Sequence, residues 1–233
     1  MERALLVICI CVAGYASFVQ SDTRESNEFY TMLLRDSDPG LFPAREQPLK
    51  VTLGLDLAAI RQVDTTRDEV EIMAMRTIGW KNPFITQEDK AKHKGPISVD
   101  IKHIWTPDIV AYNPVHAPES LSPPLAVVNP DGETFYIPNE RIRFTCNLEK
   151  FETDEGSNCT LRYGSWTRSG DKIGLIGNDV TTDSFQKNPR IELLNTYTEV
   201  QVKHYPCCSE SYPSVVFTLN IRKRNALRSL FSW

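Results

Sequence analysis

The chain has 233 residues. That length suits one large all-β domain or two small ones, and it is enough to bury a proper core without many covalent staples. Its 26 basic and 30 acidic residues give a formal net charge of −4, and the absence of a basic run or a high isoelectric point excludes a nucleic-acid binder as the first expectation.

The N-terminus reads MERALLVICICVAGYASFVQSD. One arginine precedes an apolar run from Ala4 to about Val12, and small residues follow around Gly14 to Ser17. This pattern predicts a secretory signal peptide over residues 1–21, cleaved near Ala16 to Ser21. A membrane anchor is the weaker reading, because the run falls short of the ~20 apolar residues a helical span needs. No later segment is long and apolar enough to cross a bilayer, so the mature chain is expected to be secreted, with no membrane span. Cys9 and Cys11 leave with the signal, and Cys146, Cys159, Cys207 and Cys208 remain. Secretion favours disulfides, and four cysteines allow three pairings.

The next segment, SDTRESNEFYTMLLRDSDPG, places Phe29, Met32 and Leu33 at i, i+3, i+4 spacing. It predicts one short amphipathic helix, started by Ser21 or Asp22 and stopped by Asp38-Pro39-Gly40. From there the period changes to two. Leu49, Val51, Leu53, Leu55 and Leu57 alternate with mostly polar residues, as in a half-buried strand. Beyond the polar DTTRDE, Val70, Ile72 and Ala74 alternate with Glu71, Met73 and Met75. If the first set faces the core, Met73 and Met75 face outward, and an outward apolar pair calls for a partner or a ligand to cover it.

Further strand-like runs are LAVV (125–128), TFYIP (134–138), RIRFTC (141–146), CTLRYGSW (159–166), EVQVKHY (199–205) and SVVFTLNIRK (214–223). Asn129-Pro130-Asp131-Gly132 between two of them is a hairpin-turn signal. Many short strands separated by prolines, led by one helix, predict a single β-sandwich or barrel domain over residues 22–224 with a tail at 225–233.

Catalytic and cofactor motifs are missing. His93, His103, His116 and His204 lie singly, none at metal-ligand spacing from another histidine or a cysteine. GSWTRSG is not a nucleophile elbow, and no glycine loop has phosphate-cradling form. The expectation is a non-enzyme that needs no metal or cofactor. Four aromatics instead fall at strand ends or in loops: Tyr112 in WTPDIVAYNP, Trp166 in YGSWTRSG, and Tyr205 and Tyr212 on either side of the cysteine pair in HYPCCSESYP. Converging rings bind a quaternary ammonium group, at roughly 0.5–2 kcal/mol per contact. Adjacent cysteines bridge each other only with strain, since neighbouring Cα atoms stand about 3.8 Å apart, under the usual disulfide range of about 4.4–6.8 Å. Spacing alone therefore leaves open whether Cys207 and Cys208 pair together or with Cys146 and Cys159.

At these residues the chain resembles a family. YPCCSESYPSVVFTLNIRKR closely resembles the loop and last strand of nicotinic acetylcholine receptor α-type subunits. IWTPDIVAYN, YGSW and VVNPDGETFYIP are similar to further motifs of the same family, and together they cover about residues 22 to 224. Cys146 and Cys159 enclose twelve residues, as in the soluble molluscan acetylcholine-binding proteins, whereas receptor subunits enclose thirteen. Receptor subunits also continue into membrane helices after the last strand, where this chain ends IRKRNALRSLFSW. Its enclosed loop, NLEKFETDEGSN, is polar and acidic where a receptor carries an apolar Phe-Pro centre. The resemblance is therefore nearer to the soluble proteins, with a truncated or spliced extracellular domain of a channel subunit as the alternative.

The resemblance implies an immunoglobulin-like ten-stranded β-sandwich with an N-terminal helix, assembled as a homopentamer. It implies a Cys146–Cys159 disulfide and a Cys207–Cys208 disulfide at the tip of a ligand-covering loop. The ligands are acetylcholine or related cations such as nicotine, held between subunits. The principal face would be Tyr112, Trp166, Tyr205, Cys207, Cys208 and Tyr212. The complementary face would be Met75, Val127, Phe135 and Ile137 of the next subunit. Met75, five residues before Trp80, stands where the family usually has Trp or Tyr, so the cage has one ring fewer. The sequon Asn158-Cys159-Thr160 implies a glycan beside the first disulfide.

Overall fold

The computed structural model describes residues 26–43, 47–206 and 208–225. The expected signal peptide, the Ser21 or Asp22 cap, Cys207 and most of the tail lie outside the described residues. The chain divides into two compact units.

The smaller unit carries the helices. Helix α1 covers 26–36 and buries Phe29 and Leu33, with Met32 half-buried beside them, as its 3–4 spacing dictates. The Phe29 ring stacks on His93 with centroids 5.0 Å apart. Helix α2 (Gln87–Lys92) has a reciprocal cap: Thr86 accepts from the Asp89 amide while the Asp89 carboxylate accepts from the Thr86 amide. Its signal, T-x-x-D, is a capping box. Strand β3 (Ile97–Asp100) pairs antiparallel with β6 (Leu125–Val128), setting Ser98 beside Val127. Ala126 and Val128 point inward, and Leu125 and Val127 are exposed. The turn after β6 closes through Gly132 N–H donating to Asn129 O at 2.9 Å. Gly132 adopts φ +90, which explains a glycine there.

The larger unit holds two sheets. In the first, β1 (Leu49–Asp64) lies between β10 (Ile173–Thr181), which runs parallel to it, and β2 (Glu69–Lys81), which runs antiparallel. Strand β8 (Asn139–Thr145) continues from β2, and the two-residue β5 (Glu119–Ser120) pairs with β8. The second sheet has the order β11 (Ile191–His204), β12 (Ser211–Lys223), β9 (Ser157–Ser165), β4 (Ile109–Ala111). The β1 alternation holds as expected: Leu49, Val51, Leu53, Leu55 and Leu57 are all buried, each contributing about 1.5–3 kcal/mol by leaving water. On β2, Val70, Ile72 and Ala74 are buried while Glu71, Met73 and Met75 are half-exposed.

With β7 (Glu133–Tyr136), the described residues contain twelve strand segments where ten are expected. The excess comes from prolines. Pro107, Pro114, Pro118, Pro123 and Pro124 flank the short β4 and β5, and Pro138 separates β7 from β8, because proline donates nothing to a ladder. The chain is mainly β with a leading helix, as its periodicity implies.

Two devices bridge the sheets of the larger unit. The Cys146–Cys159 disulfide, with Cα atoms 4.9 Å apart, joins the residue after β8 to β9. It removes the crosswise pairings of Cys146, Cys159, Cys207 and Cys208. The second bridge is Arg76 of β2, which is buried. Its guanidinium donates twice to the Glu140 carboxylate, at 2.8 and 2.9 Å, and once to Ile109 O of β4 at 3.4 Å. Its carbon also lies 5.1 Å from the centre of the Tyr163 ring of β9. Burial pulls the Arg76 pKa down, but the hydrogen bond and charge of Glu140 more than reverse this, so the arginine stays charged.

Candidate functional site

The site is built from the outer side of the second sheet. Strand β4 pairs with the end of β9, Ile109 opposite Ser165 and Ala111 opposite Tyr163, and so delivers Tyr112 to the sheet surface. The Tyr112 amide donates to Arg162 O at 2.8 Å, and its phenol donates to Ser165 O at 2.8 Å. The ring lies over Gly164, where an added Cβ would stand 2.3 Å from the phenol oxygen. Any side chain at 164 would expel Tyr112. Burial raises the Tyr112 pKa, with Tyr205 and Asp108 adding and Arg162 opposing. The phenol therefore remains a neutral donor near pH 7.

Trp166 follows β9 directly. Its amide donates to Asp108 O at 3.0 Å. The Asp108 carboxylate accepts from Ser165 Oγ at 2.6 Å and from Thr167 N and Oγ1 at 2.7 and 2.6 Å. The residues on both sides of Trp166 are thus tied to one carboxylate, while Trp166 itself is 73% exposed. Tyr205 and Tyr212 flank the β11–β12 turn, and their rings meet edge to face at 5.4 Å. The Cys208 amide donates to Tyr205 O at 3.1 Å within the turn. Cys207 lies outside the described residues.

All four aromatics singled out in the sequence line one cleft of about 870 Å³. It takes its walls from three separate segments of the larger unit and is open to solvent. The π faces suit a cation. The four residues of the expected complementary face lie elsewhere. Phe135 and Ile137 are exposed, and Met75 is half-buried between Asp56 and Asn139 of the neighbouring strands. None of these three lines the cleft. The Phe135 ring stands 3.1 Å from the position a Cβ on Gly79 would take, so the glycine makes room for it. Val127, also exposed, belongs to the smaller unit.

Several residues that matter at this site escaped the sequence reading. Asp108 and Ser165 position the tryptophan. Arg162 and Lys203 also line the cleft, and Arg162 donates to the Gln201 side chain at 2.6 Å. The "TPD" and "YGSWT" strings contain the first two, but their pairing spans 57 residues and no local signal reports it. No group of three metal-ligating side chains occurs among the described residues.

The comparison with protein families agrees with this geometry. The neurotransmitter-gated ion-channel ligand binding domain matches residues 26–225, and the chain belongs to that family, whose members are ligand-binding domains rather than enzymes. Among solved structures, it is similar to AChBP from Bulinus truncatus, with a TM-score of 0.75 and 31% identity over 84% of this chain and 98% of that one. Among curated proteins, it is 29% identical to the acetylcholine receptor subunit alpha-type acr-15 of Caenorhabditis elegans, over 88% of this chain and 43% of that subunit. It is 27% identical to the neuronal acetylcholine receptor subunit alpha-10 of Rattus norvegicus, over 91% of this chain and 49% of that subunit. The chain thus spans about half the length of the curated relatives it matches. No helix among the described residues is long and apolar enough to cross a membrane.

Proposed function

We propose that this chain is the subunit of a secreted homopentamer that binds acetylcholine and related cations such as nicotine at its subunit interfaces. The observation that carries this reading is the convergence of Tyr112, Trp166, Tyr205 and Tyr212 on one open cleft. Trp166 supplies the main cation–π face, Tyr112 the floor, and Tyr205 and Tyr212 the walls. Cys207 and Cys208 bond to each other and stiffen the loop that covers the ligand. Met75, Val127, Phe135 and Ile137 of the next subunit complete the cage, which agrees with the exposure of the last three and the half-exposure of Met75 in a single chain. The mechanism is reversible: the loop closes, and ring faces replace the water around the cation. Residues 1–21 are removed on secretion, residues 22–224 form the binding domain, residues 225–233 are its tail, and Asn158, exposed on β9, carries a glycan.

The disulfide-closed loop supports a soluble state. Leu148 and Phe151 tuck inward at 5% and 6% exposure, while Glu149, Lys150, Glu152, Asp154 and Glu155 face water. A loop meant to meet a membrane domain would present its apolar residues instead. The second reading, the extracellular part of a channel subunit, draws on the receptor subunits among the relatives. Fractionation of native tissue separates the two: recovery in the soluble fraction supports the first, and recovery in membranes supports the second. Acetylcholine titration followed by tryptophan fluorescence, with native mass spectrometry on the same sample, tests binding and assembly together. Saturable quenching by a five-subunit particle is expected. A monomer, or no response to millimolar acetylcholine, overturns the reading.

A further inference from the structure

The cleft that gathers four aromatic rings also holds two cations. Arg162 and Lys203 line it, and none of its eleven lining residues is acidic. That is an odd environment for a ligand that is only a cation. The register explains how the charges arrive there. On β11, Glu199, Gln201 and Lys203 share one face of the strand. Lys203 sits directly opposite Tyr212, Gln201 opposite Ser214, and Ser214 in turn opposite Gly164. Lys203 therefore stands beside a wall of the cage, within the roughly 5 Å of a cross-strand pair. Arg162 lies two residues before Gly164 on the same face of β9, and Tyr112 lies on that glycine; the charge of Arg162 is felt by the Tyr112 phenol.

Among the described residues, neither cation forms an ion pair with a carboxylate. Arg162 donates to the amide oxygen of Gln201, a neutral acceptor that uses one of its five N–H donors. Glu199 accepts from Gln201 rather than from Arg162. Asp108, whose charge is felt by the Tyr112 phenol, has both carboxylate oxygens engaged by Ser165 and Thr167. The cleft therefore offers ring faces suited to an ammonium group and, among them, basic side chains suited to a carboxylate.

We propose that the site prefers a zwitterion: a quaternary ammonium joined by a short chain to a carboxylate, with the ammonium on Trp166 and its neighbouring tyrosines and the carboxylate on Arg162 and Lys203. This rests on the cation-binding reading above and names the ligand class of the same cleft. A guanidinium meeting a carboxylate forms a charge-assisted pair that a lone cation cannot use. A pure cation instead meets two like charges, whose repulsion is modest in an open, hydrated site.

The test uses two probes that differ only in the acid, 4-(trimethylammonio)butanoate and its methyl ester, titrated calorimetrically into the full chain and its variants. The zwitterion should bind the wild type about tenfold more tightly than the ester. Arg162→Gln and Lys203→Gln should each weaken the zwitterion several-fold and tighten the ester by about twofold, so the two probes move in opposite directions. The exposed Lys203 provides a variant that keeps the fold should Arg162→Gln fail to fold. If acetylcholine and the ester bind but the zwitterion binds no better, or both probes shift in the same direction in the variants, the zwitterion proposal is overturned while the cation site stands. If neither ester nor acetylcholine nor zwitterion binds, the cation-binding reading itself falls and takes this proposal with it.

Discussion

Two regions of the molecule each hold an arginine and aromatic rings, and they use them in opposite ways. Between the sheets, Arg76 is bound twice by Glu140 and lies over Tyr163, a residue with no exposed surface. In the cleft, Arg162 is bound by an amide, and Trp166, which lines the same cleft, is 73% exposed. Tyr163 and Trp166 are three positions apart, at the end of β9 and just beyond it. In the first region every charge is matched, because an unmatched charge in a dry interior costs several kcal/mol. In the second, water shields the mismatch and ring faces are left without a cover, so the same residue types remain available to a ligand. Affinity and stability should therefore be separable by mutation.

The largest effect expected is on stability. Glu140→Gln leaves the Arg76 guanidinium buried without its counter-charge and should cost about 3–5 kcal/mol in urea unfolding. A loss under 1 kcal/mol would mean the interior pair does not hold the sheets. In the cleft, Tyr205→Ala should weaken acetylcholine about tenfold or more by removing a wall and its edge-to-face partner, with little change in the unfolding midpoint because Tyr205 is exposed. A large fall in stability would put Tyr205 in the core's company instead.

A smaller effect should sharpen the cage. Met75→Trp restores a ring at the outward position of β2 and should tighten acetylcholine by about threefold. No change would place Met75 away from the ligand. The smallest effect concerns the buried phenol. Tyr163 has no hydrogen-bond partner for its hydroxyl among the described residues, and burial raises its pKa above the ordinary 10. The folded state then keeps a proton that the unfolded chain releases, so this contribution to stability is full below pH 10 and is lost as pH rises beyond it, by about 1.4 kcal/mol per pH unit until the folded group titrates. Tyr163→Phe should be near neutral at pH 7 and should flatten this alkaline decline. An unchanged slope would assign the decline to other groups.

Much of this was legible in the chain. The alternation on β1 and β2 reports which side chains turn inward, because a strand's period of two is local. The motifs WTPDIVAYNP, YGSWTRSG and HYPCCSESYP between them singled out all four rings of the cleft. Strand β10 was not legible: Gly174, Gly177 and Asn178 interrupt its apolar alternation, and its partner β1 lies more than a hundred residues earlier. The first part of β11 was also missed, since Asn195 and Thr196 give it little apolar pattern. Helix α2 announced itself only through a capping box over six residues. Asp108, Arg162 and Lys203 were invisible as site residues because what defines them is a partner across the sheet, and a single sequence carries no trace of such pairings.

The central claim is that the exposed indole of Trp166 holds a cation. Calorimetric titration of acetylcholine into the wild type and Trp166→Ala tests it most directly. A loss of about thirtyfold or more in affinity, with the unfolding midpoint and the oligomeric mass unchanged, is the predicted result. Equal affinity in the two proteins would contradict it.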